Sequence, residues 1–437
     1  MTKTPRRKAF EILLKIEKDK AYSNLALDSA VRENSPDSAD RAFISRLVYG
    51  VTERKITLDY IFSRYLKKNS AKLSPEVLTV LRLGTYQLIF LDKVPSSAAV
   101  NESVKLANIY CKYASGLVNA VLRRVSESGG DYLSSLSGEE KLSVMYSVPA
   151  ELLRFFIYHY GEENTKAFFE ASLKEKEVTL RVNTLKITAE KLKEELFKEG
   201  VEAEFTSLDT ALKIAKQPKP LYELEAYKNG YFHIQDISSQ LCALSLNAKP
   251  SMRVLDVCAS PGGKSFSIAE NALGKADVVS CDIYPQRVRL IEEGAKRLGL
   301  NIKAVLNDGA VYSEELGEFD RVLCDVPCSG LGIIGKKPEI KYKKLDDIKE
   351  LIPIQKRILE TSSRYVKSGG MLIYSTCSVN PNENRRVCDA FLNSHPEFKS
   401  VKVLPECKRA VDEGDYLTLM PHINDCDGFF IAEFCKD

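Results

Sequence analysis

The sequence predicts a multidomain protein: an all-α N-terminal bundle, a small α+β linker domain and a C-terminal doubly wound α/β domain. Residues 1–130 place apolar side chains three and four positions apart, as amphipathic helices do. Residues 145–235 alternate helix-like runs with short strand-like runs. From residue 236 to residue 437, near-continuous apolar strands alternate with amphipathic helices, which is the pattern of a parallel sheet covered on both faces.

Start signals support the N-terminal helices. Ser74 offers a capping hydroxyl, and Pro75 fits the first helical position because its missing N–H would have no partner there. Comparable caps are Asp40 and Ser96 or Ser97. The stretch 126–138 is rich in Ser and Gly, which predicts a connector.

The strands of the two later domains follow the same logic. The middle domain has a strand at 178–183 and a helix capped by Thr188. The parallel strands of the C-terminal domain are predicted at 253–258, 278–282, 304–307, 320–325 and 371–375. Two last stretches, 416–420 and 428–434, are predicted to close this sheet in antiparallel fashion.

Composition excludes several classes of protein. The chain of 437 residues is 44% apolar and 28% charged, as globular proteins are, and it lacks a long apolar run or a signal-peptide core. Eleven cysteines without a C-x-x-C motif predict reduced thiols, and four histidines argue against a His-rich metal site. We therefore expect a cytoplasmic protein that uses no metal and no membrane.

Basic charge is concentrated in the first third of the chain. Residues 1–130 contain 22 Lys and Arg against 13 Asp and Glu, whereas the whole chain has 63 against 60. This asymmetry predicts a surface that meets phosphate. Solubilising charge on exposed helix faces is the alternative explanation.

A glycine loop at 258–265 joins the first parallel strand to a helix, which is the layout of a nucleotide site. A dinucleotide site would need G-x-G-x-x-G, which is absent from this loop. A triphosphate-binding P-loop is nearly matched by Gly263, Lys264 and Ser265, and Asp325 would serve as its metal-binding aspartate. Cys258 stands where that motif needs its first glycine, and Pro261 removes an amide donor. An NTPase therefore stays an alternative.

S-adenosylmethionine is the third ligand that suits this layout. Asp282 ends the second strand 20 residues after Gly262, a spacing at which a carboxylate reaches a ribose. Asp308, after the third strand, is a candidate neighbour of the adenine. A helix cap at Asp282 and a plain turn at Asp308 are the structural alternatives.

Two cysteines follow two further strands, at positions where a ligand crevice forms. Cys328 comes three residues after Asp325, and Cys377 follows the fifth parallel strand. Because the carboxyl ends of parallel strands share one edge, both thiols and Asp325 should converge beside the glycine loop. We interpret the other nine cysteines as small buried apolar residues.

Two thiols beside a methyl donor suggest pyrimidine chemistry. A thiolate that adds to carbon 6 turns the ring into an enamine-like nucleophile, whose carbon 5 can accept a methyl group. Asp325 would hydrogen-bond the ring nitrogen and the exocyclic amine, and Lys264 would favour the thiolate through its positive charge.

The motifs resemble those of the RNA 5-methylcytosine methyltransferases of the Sun/Nol1/Nop2 type. The resemblance implies that Cys377 is the nucleophile, that Cys328 assists release of the product and that Asp325 faces both the base and the cofactor. It further implies a Rossmann-like domain that binds S-adenosylmethionine through Cys258, Ala259, Ser260, Pro261, Gly262, Gly263, Lys264, Asp282, Asp308 and Asp325.

The first third is similar to NusB-type RNA-binding domains, in the segments 40–50, 98–102 and 116–124. This combination resembles the bacterial enzymes that methylate cytosine C5 in small-subunit (16S) ribosomal RNA, and the partner that it implies is that RNA. The sequence departs mildly at Ser260, Ser265, Tyr342 and the pair Lys336 and Lys337.

A basic loop follows the Cys328 turn. Its lysines, Lys336, Lys337, Lys341, Lys343 and Lys344, surround Tyr342. We interpret it as a loop that grips the RNA backbone, with a plain solvated loop as the alternative. The sequence thus predicts a monomeric rRNA (cytosine-C5) methyltransferase; a P-loop NTPase and a non-catalytic RNA-binding assembly factor are the alternatives.

Overall fold

The computed structural model describes residues 4–19, 38–66, 73–128, 130–174, 177–403, 411 and 414–437. These residues form two compact units. The N-terminal unit comprises Met1–Lys174 and Ile334–Lys343, and the C-terminal unit comprises Glu175–Ile333 and Lys344–Asp437. The fold class predicted from the sequence is confirmed, whereas the domain limits at residues 130, 145 and 235 stay predictions. Gly129 of the predicted connector lies outside the described residues.

The N-terminal unit contains eight described α-helices, of which the first six enclose one apolar core. The eight helices are α1 (Pro5–Asp19), α2 (Ser38–Glu53), α3 (Lys55–Ser63), α4 (Pro75–Phe90), α5 (Ser96–Tyr110), α6 (Ser115–Glu127), α7 (Gly138–Tyr146) and α8 (Ala150–Ser172). Phe10, Leu47, Leu81 and Val121 are buried at the centre, where the spacing in the sequence had placed the apolar stripes.

The predicted helix caps are confirmed in part. The Ser74 hydroxyl accepts a hydrogen bond from the Val77 amide at 3.4 Å, as the sequence predicts. Asp40 is not a cap, because it lies inside the first turn of α2. There its negative charge interacts favourably with the positive end of the helix dipole. The caps predicted at Ser96 or Ser97 are also wrong, since α5 begins at Ser96 and Pro95 occupies the N-cap position.

Residues 334–343 belong to the N-terminal unit, and the contacts of Lys341 and Tyr342 correct the interpretation of the basic loop for these two side chains; for the other lysines it stays a prediction. This segment contains a short 3₁₀ helix, Pro338–Tyr342. Lys341 is buried and donates to the carbonyl oxygens of Glu53 at 2.8 Å and Tyr146 at 3.3 Å. The Tyr342 hydroxyl donates to the same Glu53 carbonyl at 3.1 Å. Because both side chains are used inside the unit, neither is available to grip RNA.

The C-terminal unit begins with a four-stranded antiparallel sheet in the order β2-β3-β1-β4. Its strands are β1 (Val178–Val182), β2 (Glu202–Phe205), β3 (Ala211–Lys216) and β4 (Phe232–Ile234). Helix α9 (Ala189–Lys198) and the short helix α10 (Glu225–Lys228) accompany them. The predicted cap is confirmed, because the Thr188 hydroxyl accepts from the Lys191 amide at 3.4 Å.

The second sheet has eight described strands, of which five are parallel. They are β5 (Arg253–Asp256), β6 (Asp277–Asp282), β7 (Ile302–Leu306), β8 (Phe319–Asp325), β9 (Val366–Thr376), β10 (Phe398–Val401), β11 (Leu417–Leu419) and β12 (Phe429–Lys436). The main order is β10-β12-β9-β8-β5-β6-β7, and β11 pairs with β12. Strands β10, β11 and β12 are antiparallel to their neighbours, so the predicted antiparallel closure is confirmed. Strand β10 was not predicted.

Seven described helices accompany the second sheet, and most of them follow a parallel strand. They are α11 (Ile237–Ser245), α12 (Gly263–Asn271), α13 (Pro285–Leu298), α14 (Leu345–Lys349), α15 (Leu351–Ser363), α16 (Arg385–Ser394) and α17 (Pro421–Asn424). The small sheet is anchored to α12 by a buried ion pair, in which Arg181 Nε lies 3.0 Å from Glu270 Oε2. Since α12 begins at the glycine loop, this pair holds the helix that supports the loop.

Candidate active site

The carboxyl ends of the parallel strands place the predicted site residues along one edge of the sheet. Asp256 ends β5, Asp282 ends β6 and Asp325 ends β8. Cys377 directly follows β9. Strands β6, β5, β8 and β9 are consecutive neighbours, so the loops that follow them surround a common crevice.

The glycine loop is tightly folded at Gly262. This residue has φ +107° and caps α12, and its amide donates to the Ala259 carbonyl at 2.7 Å. A Cβ atom at Gly262 would lie 2.3 Å from the Phe266 ring. Both the backbone conformation and the contact therefore require glycine here.

The side chain of Ser265, in the first turn of α12, is turned into the protein interior. The hydroxyl of Ser265 is fully buried and donates to Asp256 Oδ2 at 2.7 Å. Burial raises the pKa of Asp256 to about 7, although the hydrogen bond from Ser265 opposes the shift. In a P-loop the corresponding hydroxyl binds the metal ion. Its burial is an observation against the NTPase alternative.

Lys264 is bound to Asp325. Its Nζ lies 2.7 Å from Asp325 Oδ2, and the Ser375 hydroxyl donates to Asp325 Oδ1 at 2.7 Å. Burial by itself would lower the pKa of Lys264, but the carboxylate outweighs burial and raises it. The positive charge of Lys264 is thus paired with Asp325. For this reason Lys264 is a poor ligand for a phosphate.

Asp282 and Asp308 each form a local turn with one oxygen. Asp282 Oδ1 accepts from the Tyr284 amide at 3.0 Å, and Asp308 Oδ1 accepts from the Ala310 amide at 2.9 Å. Asp282 Oδ2 is 3.9 Å from Arg287 Nη1. The plain turn considered at Asp308 is therefore present, whereas the helix cap considered at Asp282 is not, because Tyr284 occupies the N-cap position of α13. The two turns at Asp282 and Asp308 are local. They use one carboxylate oxygen each and do not preclude a ligand at the other.

The two predicted cysteines are in contact. Cys328 Sγ and Cys377 Sγ are 3.2 Å apart, and both side chains are partly exposed. The hydrogen bond with Cys377, followed by burial, raises the pKa of the Cys328 thiol well above its usual value. The raised pKa favours the protonated form of Cys328, so this thiol can share its proton with the adjacent Cys377 sulfur.

A buried carboxylate that the sequence analysis missed lies behind the cysteines. Glu383 accepts hydrogen bonds from Ser329 and Ser378, the residues that follow the two cysteines. The signal was present in the sequence, because the pair Cys-Ser occurs after both β8 and β9, and Glu383 lies six positions beyond Cys377.

The part of the chain that the structure describes holds neither a metal-binding cluster nor a membrane-spanning helix. There, no group of three or more His, Cys, Asp or Glu side chains is arranged to hold a metal ion. Within the same residues, no helix combines the length and apolarity needed to cross a membrane.

Three family models match successive parts of the chain. The model described as 16S rRNA methyltransferase RsmB/F matches residues 243–435. The NusB family model matches residues 3–127, and the model of an RsmF/B-like ferredoxin-like domain matches residues 148–219.

Relatives and solved structures agree with these matches. The probable ribosomal RNA small subunit methyltransferase B of Bacillus subtilis (strain 168) is 38% identical over 439 residues, which is 98% of each chain. A protein of the same name from Synechocystis is 33% identical over 99% of each chain. The crystal structure of PH0851 matches with a TM-score of 0.84 and 26% identity over 99% of both chains. NSun6 from Pyrococcus horikoshii shares the fold over 66% of this chain and 98% of its own, with a TM-score of 0.61 and 23% identity. The chain therefore belongs to the RsmB/F family of 16S rRNA methyltransferases.

Proposed function

We propose that this protein transfers a methyl group from S-adenosylmethionine to carbon 5 of a cytidine in small-subunit ribosomal RNA, through a covalent adduct with Cys377. The observation that carries the proposal is the contact between Cys377 and Cys328 at 3.2 Å, at the sheet edge that also holds Asp325. Membership of the RsmB/F family supports the methyl transfer to ribosomal RNA.

The residues along the sheet edge suit S-adenosylmethionine. The tight turn at Gly262 allows a ligand to approach the backbone, and the second carboxylate oxygens of Asp282, which lies near Arg287, and of Asp308 can accept from hydroxyl and amino groups. Lys264 is neutralised by Asp325, which fits a cofactor without phosphate. Cys258, Ala259, Ser260, Pro261, Gly263 and Asp325 complete the proposed contact set. When bound, this cofactor supplies an electrophilic methyl group on a sulfonium.

Cys377 begins the reaction as a thiolate. Its sulfur adds to carbon 6 of the cytosine, and the electrons of the carbon 5–carbon 6 double bond move to carbon 5, which then forms the bond to the methyl group. Asp325, held in place by Lys264 and Ser375, faces the ring nitrogen and the exocyclic amine and accepts a hydrogen bond from the amine, while Lys264 beside it offsets the negative charge that the ring gains.

Release requires a base for the carbon 5 proton and departure of the Cys377 sulfur. Loss of that proton restores the double bond as the bond between sulfur and carbon 6 breaks. Cys328 is the group placed to assist, because its sulfur touches Cys377 and its pKa is raised. As the bond between sulfur and carbon 6 breaks, the Cys328 thiol gives its proton to the departing Cys377 sulfur, and the Cys328 sulfur takes up the carbon 5 proton, so Cys328 ends protonated as it began.

The N-terminal unit is proposed to hold the RNA. A NusB family model matches residues 3–127, and residues 1–130 carry 22 basic against 13 acidic side chains. Flipping a base out of its stack costs a few kcal/mol, which such phosphate contacts can offset. We propose that the protein acts as a monomer.

The direct test is bisulfite mapping of 16S ribosomal RNA after incubation with S-adenosylmethionine and the purified protein. We expect one cytidine to become resistant to conversion, together with transfer of tritium from the labelled cofactor. The Cys377→Ala variant should leave that cytidine convertible. Tritium transfer without a protected cytidine would mean that the methyl acceptor is wrong, and no transfer at all would favour a non-catalytic RNA-binding role.

A further inference from the structure

Glu383 is a fully buried carboxylate that accepts five hydrogen bonds. Its Oε1 accepts from the Ser329 amide at 2.8 Å and from Gln355 Nε2 at 2.9 Å. Its Oε2 accepts from the hydroxyls of Ser329 at 2.5 Å and Ser378 at 2.8 Å, and from Asn380 Nδ2 at 3.1 Å. Every one of these partners is a donor, which matches an ionised carboxylate, since it only accepts.

The donors come from both cysteine turns. Ser329 follows Cys328 and Ser378 follows Cys377, and their two hydroxyl oxygens are 2.9 Å apart. Each hydroxyl has one proton, and both protons can be directed to Glu383 Oε2, so the shared acceptor sets this close approach. The two Cys-Ser pairs are therefore joined twice, by sulfur at the crevice and by oxygen behind it.

Further contacts extend the clamp to the residues around each turn. Gln355 Nε2 also donates to the Pro327 carbonyl at 3.1 Å, one residue before Cys328. The Tyr374 hydroxyl donates to the backbone carbonyl of Glu383 at 2.6 Å. Tyr374 on β9 thus anchors the backbone of Glu383, while the Glu383 carboxylate binds the loop that follows β8.

We propose that Glu383 is a positioning residue that fixes the separation of the two reactive thiols by binding Ser329 and Ser378 with one carboxylate. The proposal deepens the proposed function and rests on it, because it assigns the thiols a joint role in the reaction. Glu383 acts through the two serines.

The isosteric variant Glu383→Gln tests the charge and the acceptors without opening a cavity. A glutamine side chain offers one carbonyl oxygen and an NH₂ group, so at least two of the five donors would face another donor. Inside the protein an unmatched donor is costly, and the two turns should move apart to regain partners.

Two measurements read the thiol separation. Steady-state kinetics should show kcat lowered about 100-fold, because a displacement of about 1 Å can cost that much, with KM for S-adenosylmethionine changed less than about twofold. Diamide oxidation should join Cys328 to Cys377 rapidly in the unaltered protein and about tenfold more slowly in the variant, since the reaction needs the sulfurs in contact. In this reaction two thiols give two protons and two electrons to the azo bond, and peptide mapping locates the disulfide.

The matched control is Asp389→Asn, which makes the same change of carboxylate to amide on α16. Asp389 is half-exposed and binds Arg385 and Tyr416. It should leave both the kcat and the oxidation rate unchanged. The double variant Ser329→Ala with Ser378→Ala keeps the carboxylate and removes two donors, and it should shift both measurements in the same direction as Glu383→Gln.

The outcomes separate the clamp from the proposed function. Unchanged kcat and unchanged oxidation in Glu383→Gln would overturn the clamp. If Glu383→Gln does not fold, the double serine variant decides, and normal values there overturn the proposal. If the unaltered protein methylates no cytidine but the oxidation rate still falls in the variants, the clamp stands and the proposed function fails.

Discussion

The sulfur atoms of Cys328 and Cys377 lie 3.2 Å apart although the residues are 49 positions apart in the chain. The contact exists because β8 and β9 are parallel neighbours, with Asp325 in register with Ser375. Each cysteine leaves its strand within three residues of that register. The sheet thus brings two thiols into one crevice. Replacing each cysteine alone can test whether the two thiols have different roles in the reaction.

The two cysteines should differ when replaced one at a time. Cys377→Ala should abolish methyl transfer, because no sulfur remains to add to carbon 6. Cys328→Ala should keep adduct formation but slow release, so a protein-RNA complex should survive on a denaturing gel. The control Cys435→Ala, at a half-buried cysteine in β12, should behave as the unaltered protein does. A stable adduct with Cys377→Ala instead would reverse the two assignments.

Asp325 should be needed for the chemical step. Asp325→Asn keeps the shape but removes the charge that binds Lys264 and faces the base. Loss of one such electrostatic contact typically lowers kcat about 100- to 1,000-fold. The control is Asp320→Asn on the same strand, where Asp320 pairs with Lys367. Kinetics that respond equally to both substitutions would indicate a general effect on β8 rather than a role in the reaction.

Gly262 should tolerate no side chain. Gly262→Ala places a Cβ atom 2.3 Å from the Phe266 ring and forces an L-residue to φ +107°. The loop must shift, and we expect the affinity for S-adenosylmethionine to fall at least about tenfold, because backbone approach depends on this turn. Isothermal titration calorimetry measures the loss. Gly116→Ala in α6, where a Cβ meets nothing within 4 Å, should bind the cofactor normally.

The sequence predicted which strands carry the site residues, but it did not predict the long-range hydrogen-bond partners of buried charged side chains. The regular spacing of apolar strands predicted the sheet edge. Because Cys328 and Cys377 both follow parallel strands, the sequence also predicted that they meet at this edge. The burial of Lys341 was not predictable, because its partner carbonyl at Glu53 is 288 positions away and a lysine-rich segment looks solvated by composition. Glu383 escaped notice for a similar reason, since its donors come from segments near residues 329, 355 and 378 that meet only in the fold.

The N-terminal unit should bind RNA through exposed arginines. Arg123 and Arg124 are exposed on α6. Replacing both with Gln should reduce the slope of log affinity against log salt concentration by up to about 2, because each lost phosphate contact removes about one unit. Filter binding with 16S ribosomal RNA measures the slope, while cofactor affinity should stay constant. The control Arg154→Gln removes one positive charge, which is already paired with Glu139, and it should change the slope less.

Deleting residues 1–130 would be a poorer test of the same idea. The deletion removes Glu53, whose carbonyl accepts from both Lys341 and Tyr342. Residues 334–343 would lose their packing partners and expose apolar surface. Point substitutions on α6 keep that packing intact.

Lys341 should make the stability of the N-terminal unit depend on pH. Burial lowers the pKa of Lys341 from 10.5 to about 7, with Glu53 opposing the shift and Arg54 adding to it. A neutral amine still has two protons for the carbonyls of Glu53 and Tyr146. Between about pH 7 and pH 10.5 the unfolded chain binds a proton that the folded chain does not, so stability should rise with pH in that window.

The variant Lys341→Met isolates this contribution. It keeps the unbranched stem of the side chain and removes the titrating group, so its melting temperature should rise less between pH 7 and pH 9.5 than that of the unaltered protein. Lys343→Met, at an exposed lysine two positions away, is the control and should leave the pH dependence unchanged. Parallel melting curves for Lys341→Met and the unaltered protein would mean that Lys341 stays protonated in the folded state, held by its two carbonyl acceptors rather than neutralised by burial.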